Sequence, residues 1–236
     1  MDKIGAVQMR IYRNIALFIL IYGAASLALF FNSGNFLFLM LVWNVFLASL
    51  PMVFIQCGMN TEKKWRKAAY LLLWLVFFPN AIYMITDFIH LSNDQMIWSV
   101  PVEPYSGLDG TRYSTELFAW SKLLVIALGA FYALLIGMES LSRLYDHIRL
   151  RKGMLLSVIS VVGISFVASF GVFIGRFLRF NSWDLMRPMT LAKEIIRSLT
   201  GFTAGFSLIY MVFVLTAFGL FRWFHAAEPI RSEKVS

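Results

Sequence analysis

Long apolar runs separated by short polar connections make up most of the chain. There are six of them, at residues 15–31, 36–55, 68–86, 117–138, 154–175 and 198–221. Each is close to the roughly 20 residues that a helix needs to cross the hydrocarbon core of a bilayer. The pattern therefore predicts an all-α protein, a polytopic bundle of six transmembrane helices that forms one domain over residues 1–236.

Composition supports a membrane protein. Hydrophobic residues make up 59% of the chain and charged residues only 14%, and the mean hydropathy is +0.72. A water-soluble domain of this size could not cover so much apolar surface. The net charge of +8 is also typical of nucleic-acid-binding proteins, but here the basic residues lie in the connections between apolar runs. We therefore expect membrane lipids as partners, and no nucleic acid.

The N-terminal sequence begins like a signal peptide, with Lys3, Arg10 and Arg13 before the first apolar run. That run is not followed by a small-x-small cleavage site. We therefore expect residues 15–31 to remain in the protein as its first helix.

The positions of lysine and arginine predict the orientation. They cluster near the N-terminus, in the second and fourth connections, and near the C-terminus, at Lys3, Arg10, Arg13, Lys63, Lys64, Arg66, Lys67, Arg143, Arg149, Arg151, Lys152, Arg222, Arg231 and Lys234. Because basic loops stay in the cytoplasm, both termini are expected there. His147 and His225 would lie on the same side, exposed to solvent. The first and third connections are expected outside, and the long third one is a lid, a re-entrant segment or a plain loop.

The fifth connection departs from this rule. It is expected outside, yet it contains several basic residues, Arg176, Arg179, Arg187, Lys193 and Arg197. Two explanations remain open. These residues pair with the acidic third connection on the same side, or they bind an anionic ligand.

The third apolar run ends in a polar stripe. At 100° per residue, Asn80, Tyr83, Asp87 and His90 fall within roughly 80° of one another, with Thr86 beside them. A polar stripe is costly against lipid. We therefore expect it to face protein or a water-filled cavity.

Asp87 and His90 are three residues apart, so their side chains can act together. The carboxylate could orient the imidazole as a base. Alternatively, Asp87 pairs with Arg176 or Arg179, and His90 is only a polar cap. No metal site is predicted, because no second histidine or cysteine completes the ligand set, and the single cysteine, Cys57, is expected to be a small apolar residue.

Arg176, Arg179 and Trp183 share one face if the fifth helix continues through them. Two guanidinium groups on one face suit a phosphate or carboxylate, and Asn181 and Asp184 follow closely. The alternative is that both arginines extend to the membrane interface without binding a ligand.

Two amides and one lysine lie within the apolar runs. By the rise of a helix, Asn44 is roughly 12 Å and Asn80 about 10 Å below the outer end, so the two can hydrogen-bond across helices. Lys122 lies about 9 Å below Glu116, on the side where we expect the other polar groups. Pro51 and Pro79 are expected to kink their helices.

Three segments resemble one family of bacterial membrane proteins, the domain of unknown function 1361. They are Trp43–Ala48, Pro79–Leu91 and Gly175–Asp184. The resemblance implies a six-helix bundle in a bacterial plasma membrane and implies no activity.

These observations together predict a polar, net-cationic site at the outer leaflet. We expect it to bind an anionic lipid headgroup or a lipid-linked envelope precursor, without a cofactor. Arg176 and Arg179 would bind the phosphate, with Asn44, Asn80, Tyr83, Thr86, Lys122, Asn181, Trp183 and Asp184 shaping the site. Asp87 and His90 would act as base and orienter in a transferase or hydrolase. Two alternatives remain open: a small-solute transporter, and a non-catalytic partner of an envelope enzyme.

Overall fold

The computed structural model describes residues 3–103, 105, 107, 109–180 and 188–226, and in these ranges the chain forms a helical bundle. The seven α-helices of the described residues are α1 (Lys3–Ser33), α2 (Leu37–Asn60), α3 (Lys64–Tyr83), α4 (Leu117–Lys152), α5 (Met154–Phe173), α6 (Pro188–Ser198) and α7 (Gly201–Ala226). All except α6 belong to segments long and apolar enough to cross a membrane. The predicted bundle of six membrane helices is therefore confirmed.

Two helices continue in a different geometry beyond the predicted ends of their apolar runs. After α3 the chain tightens into a 3₁₀ segment, Met84–Asn93. After α5 it widens into a π segment, Ile174–Leu178, and Arg179 then takes a left-handed conformation with φ of 58°. The two segments meet through Arg176 of the π segment and Asp87 of the 3₁₀ segment, and π-turns often occur at functional sites.

The helices pack around two buried apolar clusters. One includes Trp74, Phe78 and Leu141, and the other includes Tyr22, Phe38 and Ile126. Helix α2 contacts α1, α3 and α4, while α5 contacts α3, α4 and α7. This packing places the C-terminal end of α3 between α2 and the C-terminal end of α5.

Most turns between the helices are very short. Residues 34–36 join α1 to α2, residues 61–63 join α2 to α3, and Gly153 alone joins α4 to α5 with a φ of 90°. The connections from the 3₁₀ segment to α4 and from the π segment to α7 are longer. Both begin at the end of the bundle that holds Asp87. We call this end the Asp87 end.

The third connection contains a β-hairpin that the sequence did not predict. Strands β1 (Ile97–Ser99) and β2 (Thr111–Tyr113) pair antiparallel, with Trp98 opposite Arg112. Both strands are largely exposed. The Thr111 amide donates to Asp109 Oδ1 at 2.9 Å, and this contact lowers the pKa of the Asp109 carboxyl.

The fifth connection contains α6, which the sequence also did not predict. Ile196 of α6 is 68% exposed, and Leu199, just beyond the end of the helix, is 61% exposed. Lys193 and Arg197 are also exposed, and α6 makes only marginal contacts with the rest of the bundle. A helix with one apolar and one charged face is typical of a membrane interface.

Candidate functional site

Asp87 is the centre of a polar cluster at the Asp87 end. It lies in the 3₁₀ segment after α3 and is only 2% exposed. Arg176 Nη2 donates to its Oδ1 at 2.6 Å, and Asn44 Nδ2 donates to its Oδ2 at 3.1 Å. Both carboxylate oxygens therefore have partners, which is what a buried charge requires.

Arg176 is held on several sides. Its Nε donates to Thr86 Oγ1 at 2.8 Å, and the Thr86 hydroxyl in turn donates to the carbonyl oxygen of Tyr83 at 2.6 Å. The guanidinium carbon also lies 4.6 Å from the centroid of the Tyr83 ring, in reach of a cation–π interaction. The π segment therefore places the guanidinium of Arg176 against the last residue of α3 and the first turn of the 3₁₀ segment.

His90 lies next to this pair, at a greater distance. Its Nε2 is 4.0 Å from Asp87 Oδ1, and its side chain is 36% exposed. This separation is too long for a hydrogen bond. Because successive turns of a 3₁₀ helix eclipse at three residues, Asp87 and His90 still project from the same side, and the imidazole can meet molecules from outside.

Lys122 joins the cluster from α4, as expected from its depth. It is 4% exposed, its Nζ lies 2.7 Å from Asp94 Oδ2, and it donates to the carbonyl oxygen of His90 at 2.8 Å. A lysine buried among helices is normally paired in this way. Lys122 thereby fixes the backbone that presents the imidazole.

The structure does not bring the two arginines together on one helical face. That arrangement was predicted only if the fifth helix continued past Arg179. The left-handed conformation of Arg179 ends the helix instead. Arg176 points to Asp87 while Arg179 is exposed. The other predicted members of this group, Asn181, Trp183 and Asp184, lie outside the described residues.

The two amides have different partners from those expected. Asn44 donates to Asp87 rather than to Asn80. Asn80 Nδ2 donates at 3.0 Å to the Phe77 carbonyl of its own helix, beside Pro79, whose ring nitrogen cannot donate. The expected amide pair across helices is therefore replaced by an amide–carboxylate contact.

A groove of about 330 Å³ lies between α2, α3 and the end of α5. Its polar part is formed by Asn44, Asn80 and Tyr83, and its walls are otherwise apolar, with Leu47, Leu75, Val76, Pro79, Val167, Phe170, Gly171, Val172, Ile174, Gly175 and Phe180. No hydrogen-bond partner of the Tyr83 hydroxyl is found among the described residues. The sequence did not predict this groove, although the glycines on α5 were a signal that helices approach closely there.

The charges of the cluster nearly cancel. Asp87 pairs with Arg176, and Asp94 pairs with Lys122. In the part of the chain that the structure describes, Arg179 has no ion pair. The expected cationic character is thus reduced to this exposed guanidinium and to His90 when it is protonated.

Comparison with known proteins gives one family. The model of a family described as "Protein of unknown function (DUF1361)" matches residues 43–217, which include the three segments that carry the resemblance. No curated protein matches the chain, and no solved structure matches it.

Proposed function

The chain belongs to this family of proteins of unknown function, and we propose that it binds a membrane lipid or lipid-linked molecule with an anionic headgroup. The apolar chain of the ligand would lie in the groove between α2, α3 and α5. The headgroup would lie at the Asp87 end, near Arg179 and His90. The membrane would be a bacterial plasma membrane, with both termini in the cytoplasm.

The groove is the observation that supports this proposal most. Its volume of about 330 Å³ is at the lower end of the range of ligand pockets, about 300–1,000 Å³. Its wall residue Val167 is 50% exposed on the outer surface of the bundle, so the groove is open to the side, where lipid chains lie. A polar end on an otherwise apolar groove suits an amphiphile better than a small solute.

The headgroup part of the proposal depends on the exposed cations. Arg179 is exposed at the end of the helix, and a free guanidinium binds phosphate in a bidentate geometry. Arg176 has its charge matched by Asp87 at 2.6 Å, so its role is to shape the site. A ligand phosphate would compensate the charge of Arg179.

A second candidate function is to bind the lipid without catalysing a reaction, and the contacts of Asp87 favour it. Both oxygens of this carboxylate accept hydrogen bonds from protein groups, so it is poorly placed to take up a proton. If bonds are broken at this site, His90 would be the base, and Asp87, 4.0 Å away, would act on it through its charge alone. A non-catalytic partner of an envelope enzyme would need only the bound lipid.

Native mass spectrometry of the gently solubilised protein tests the groove. We expect the wild type to retain a lipid and Val167→Trp to lose it, because the indole would fill the groove. Val158→Trp is the matched control, since Val158 is 42% exposed on the same helix and does not line the groove. Equal lipid retention in both variants would contradict the proposal.

The headgroup is tested by the lipid class that is retained. We expect Arg179→Ala to lose the preference for anionic over zwitterionic lipid while still binding a lipid chain. Arg112→Ala is the control, because it removes an exposed positive charge from the hairpin at the same end. If Arg179→Ala keeps the preference for anionic lipid, the headgroup does not bind to this arginine.

A further inference from the structure

The residues of α6 separate completely into an apolar and a polar side. At 100° per residue, the apolar residues occupy one arc of about 160°, and they are Pro188, Met189, Leu191, Ala192, Ile195 and Ile196. The other residues, Thr190, Lys193, Glu194, Arg197 and Ser198, occupy the opposite arc. This separation predicts that α6 lies along a boundary between water and an apolar phase.

The apolar side of α6 is open in the bundle. Met189 and Ile196 are 73% and 68% exposed, and Leu199, one residue beyond the helix, is 61% exposed. The polar side is open as well, because the Arg197 side chain is 74% exposed and that of its ion-pair partner Glu194 is 43% exposed. Large apolar side chains that lie together at a surface mark a contact with another apolar surface or with a membrane.

The position of α6 along the chain brings it to a membrane surface. The segment before it, Met154–Leu178, and the segment after it, Gly201–His225, are each long and apolar enough to cross a membrane. Only Leu199 and Thr200 separate the end of α6 from the first residue of α7. The last turn of α6 therefore lies at the level where α7 enters the bilayer, and lipid is the apolar phase within its reach.

One buried side chain joins the end of α6 to the beginning of α7. Thr203 is 3% exposed, and its hydroxyl donates to the carbonyl oxygen of Ser198, the last residue of α6. Its amide donates to Thr200 Oγ1 at 3.3 Å, and the Thr200 amide donates back to Thr203 Oγ1 at 3.4 Å. This is the reciprocal pattern of a capping box. The direction of α6 is thus set against α7 by hydrogen bonds, although α6 has few other contacts with the bundle.

We propose that α6 is a membrane-binding surface that lies in the plane of the bilayer at the Asp87 end. Met189, Ile196 and Leu199 enter the boundary between headgroups and acyl chains, roughly 5–10 Å deep. Lys193 and Arg197 lie on the water side, where their long side chains reach lipid phosphates. This surface is separate from the groove between α2, α3 and α5, and it needs no ligand there.

Quenching of a fluorophore by labelled lipid tests this surface. Single cysteines in a Cys57→Ser background are labelled with a nitrobenzoxadiazole fluorophore, and each protein is placed in phosphatidylcholine vesicles. Part of the phosphatidylcholine carries a nitroxide near the top of an acyl chain, which quenches only fluorophores that lie close to it. Labels at Met189→Cys and Ile196→Cys should be quenched at least about threefold more strongly than the label at Glu194→Cys.

Glu194→Cys is the matched control on the polar side. It lies two residues from Ile196 and roughly 160° around the helix axis from it, and it removes only an exposed ion pair. The proposal is overturned if the labels at Met189→Cys and Ile196→Cys escape quenching, because water or another protein surface would then cover this side. Equal quenching of all three labels also overturns it, because α6 would then be surrounded by lipid.

Discussion

Asp87 shows how a carboxylate is kept charged among apolar helices. Its two oxygens accept from a guanidinium on one side and an amide on the other, at 2.6 and 3.1 Å. The sequence predicted that the polar stripe would face protein or a water-filled cavity, and it offered pairing of Asp87 with Arg176 or Arg179 as one alternative. It could not distinguish between Arg176 and Arg179, because that choice depends on where the π segment ends.

Removal of one partner should be costly because the other remains largely buried. The side chains of Asp87 and Arg176 are 3% and 17% exposed. We expect Asp87→Asn to lower the free energy of unfolding by about 3 kcal/mol, measured by denaturation in detergent. The double variant Asp87→Asn/Arg176→Gln should recover part of this loss, since no charge is left alone. Stability equal to the wild type in the single variant would contradict the role given to this pair.

The six membrane helices could be predicted because each needs a long apolar run, and such runs are visible in one sequence. The 3₁₀ segment, the hairpin and α6 were not predicted. In each of these segments polar and apolar residues are mixed without a clear repeat, so the spacing of the apolar positions does not predict a helix or a strand. The geometry of the 3₁₀ segment depends on a contact distant in sequence, because Lys122 on α4 donates to the carbonyl oxygen of His90.

Gly171 determines how closely α3 and α5 approach. A Cβ atom placed there would lie 2.7 Å from Cγ of Pro79, whereas a Cβ at Gly163 on the same helix would meet nothing within 4 Å. We expect Gly171→Ala to destabilise the protein by about 1–3 kcal/mol. Gly163→Ala should be neutral or stabilising by up to about 1 kcal/mol. The midpoint of thermal unfolding compares the two, and equal midpoints would mean that α3 and α5 tolerate the wider spacing.

For the whole molecule, the distribution of charge remains the basis of the predicted orientation. Basic residues dominate the end opposite to the Asp87 end, with Lys63, Lys64 and Arg66 in or beside one turn. At the Asp87 end, by contrast, two of the cations, Arg176 and Lys122, are paired with carboxylates. The positive-inside rule counts these residues by loop, so the sequence alone could give an orientation but could not show which arginines are already neutralised.

The orientation is tested by cysteine labelling in a Cys57→Ser background. We expect His90→Cys, at a side chain 36% exposed, to react with a membrane-impermeant maleimide on intact cells. Arg151→Cys, exposed at the other end, should react only after the cells are opened. The reverse labelling pattern would show that the protein has the opposite orientation, with the Asp87 end on the cytoplasmic side.

The short turns have a mechanical consequence for the groove. Helices α2 and α3 are joined by residues 61–63, and α4 and α5 by Gly153 alone, so each pair is a hairpin fixed at the same end of the bundle. The hairpins can therefore spread only at their free ends, where Arg176 on one binds Asp87 on the other at 2.6 Å. That ion pair joins the free ends of the two hairpins, as does the hydrogen bond from Lys122 on α4 to the carbonyl oxygen of His90, so both contacts must break before these ends can separate.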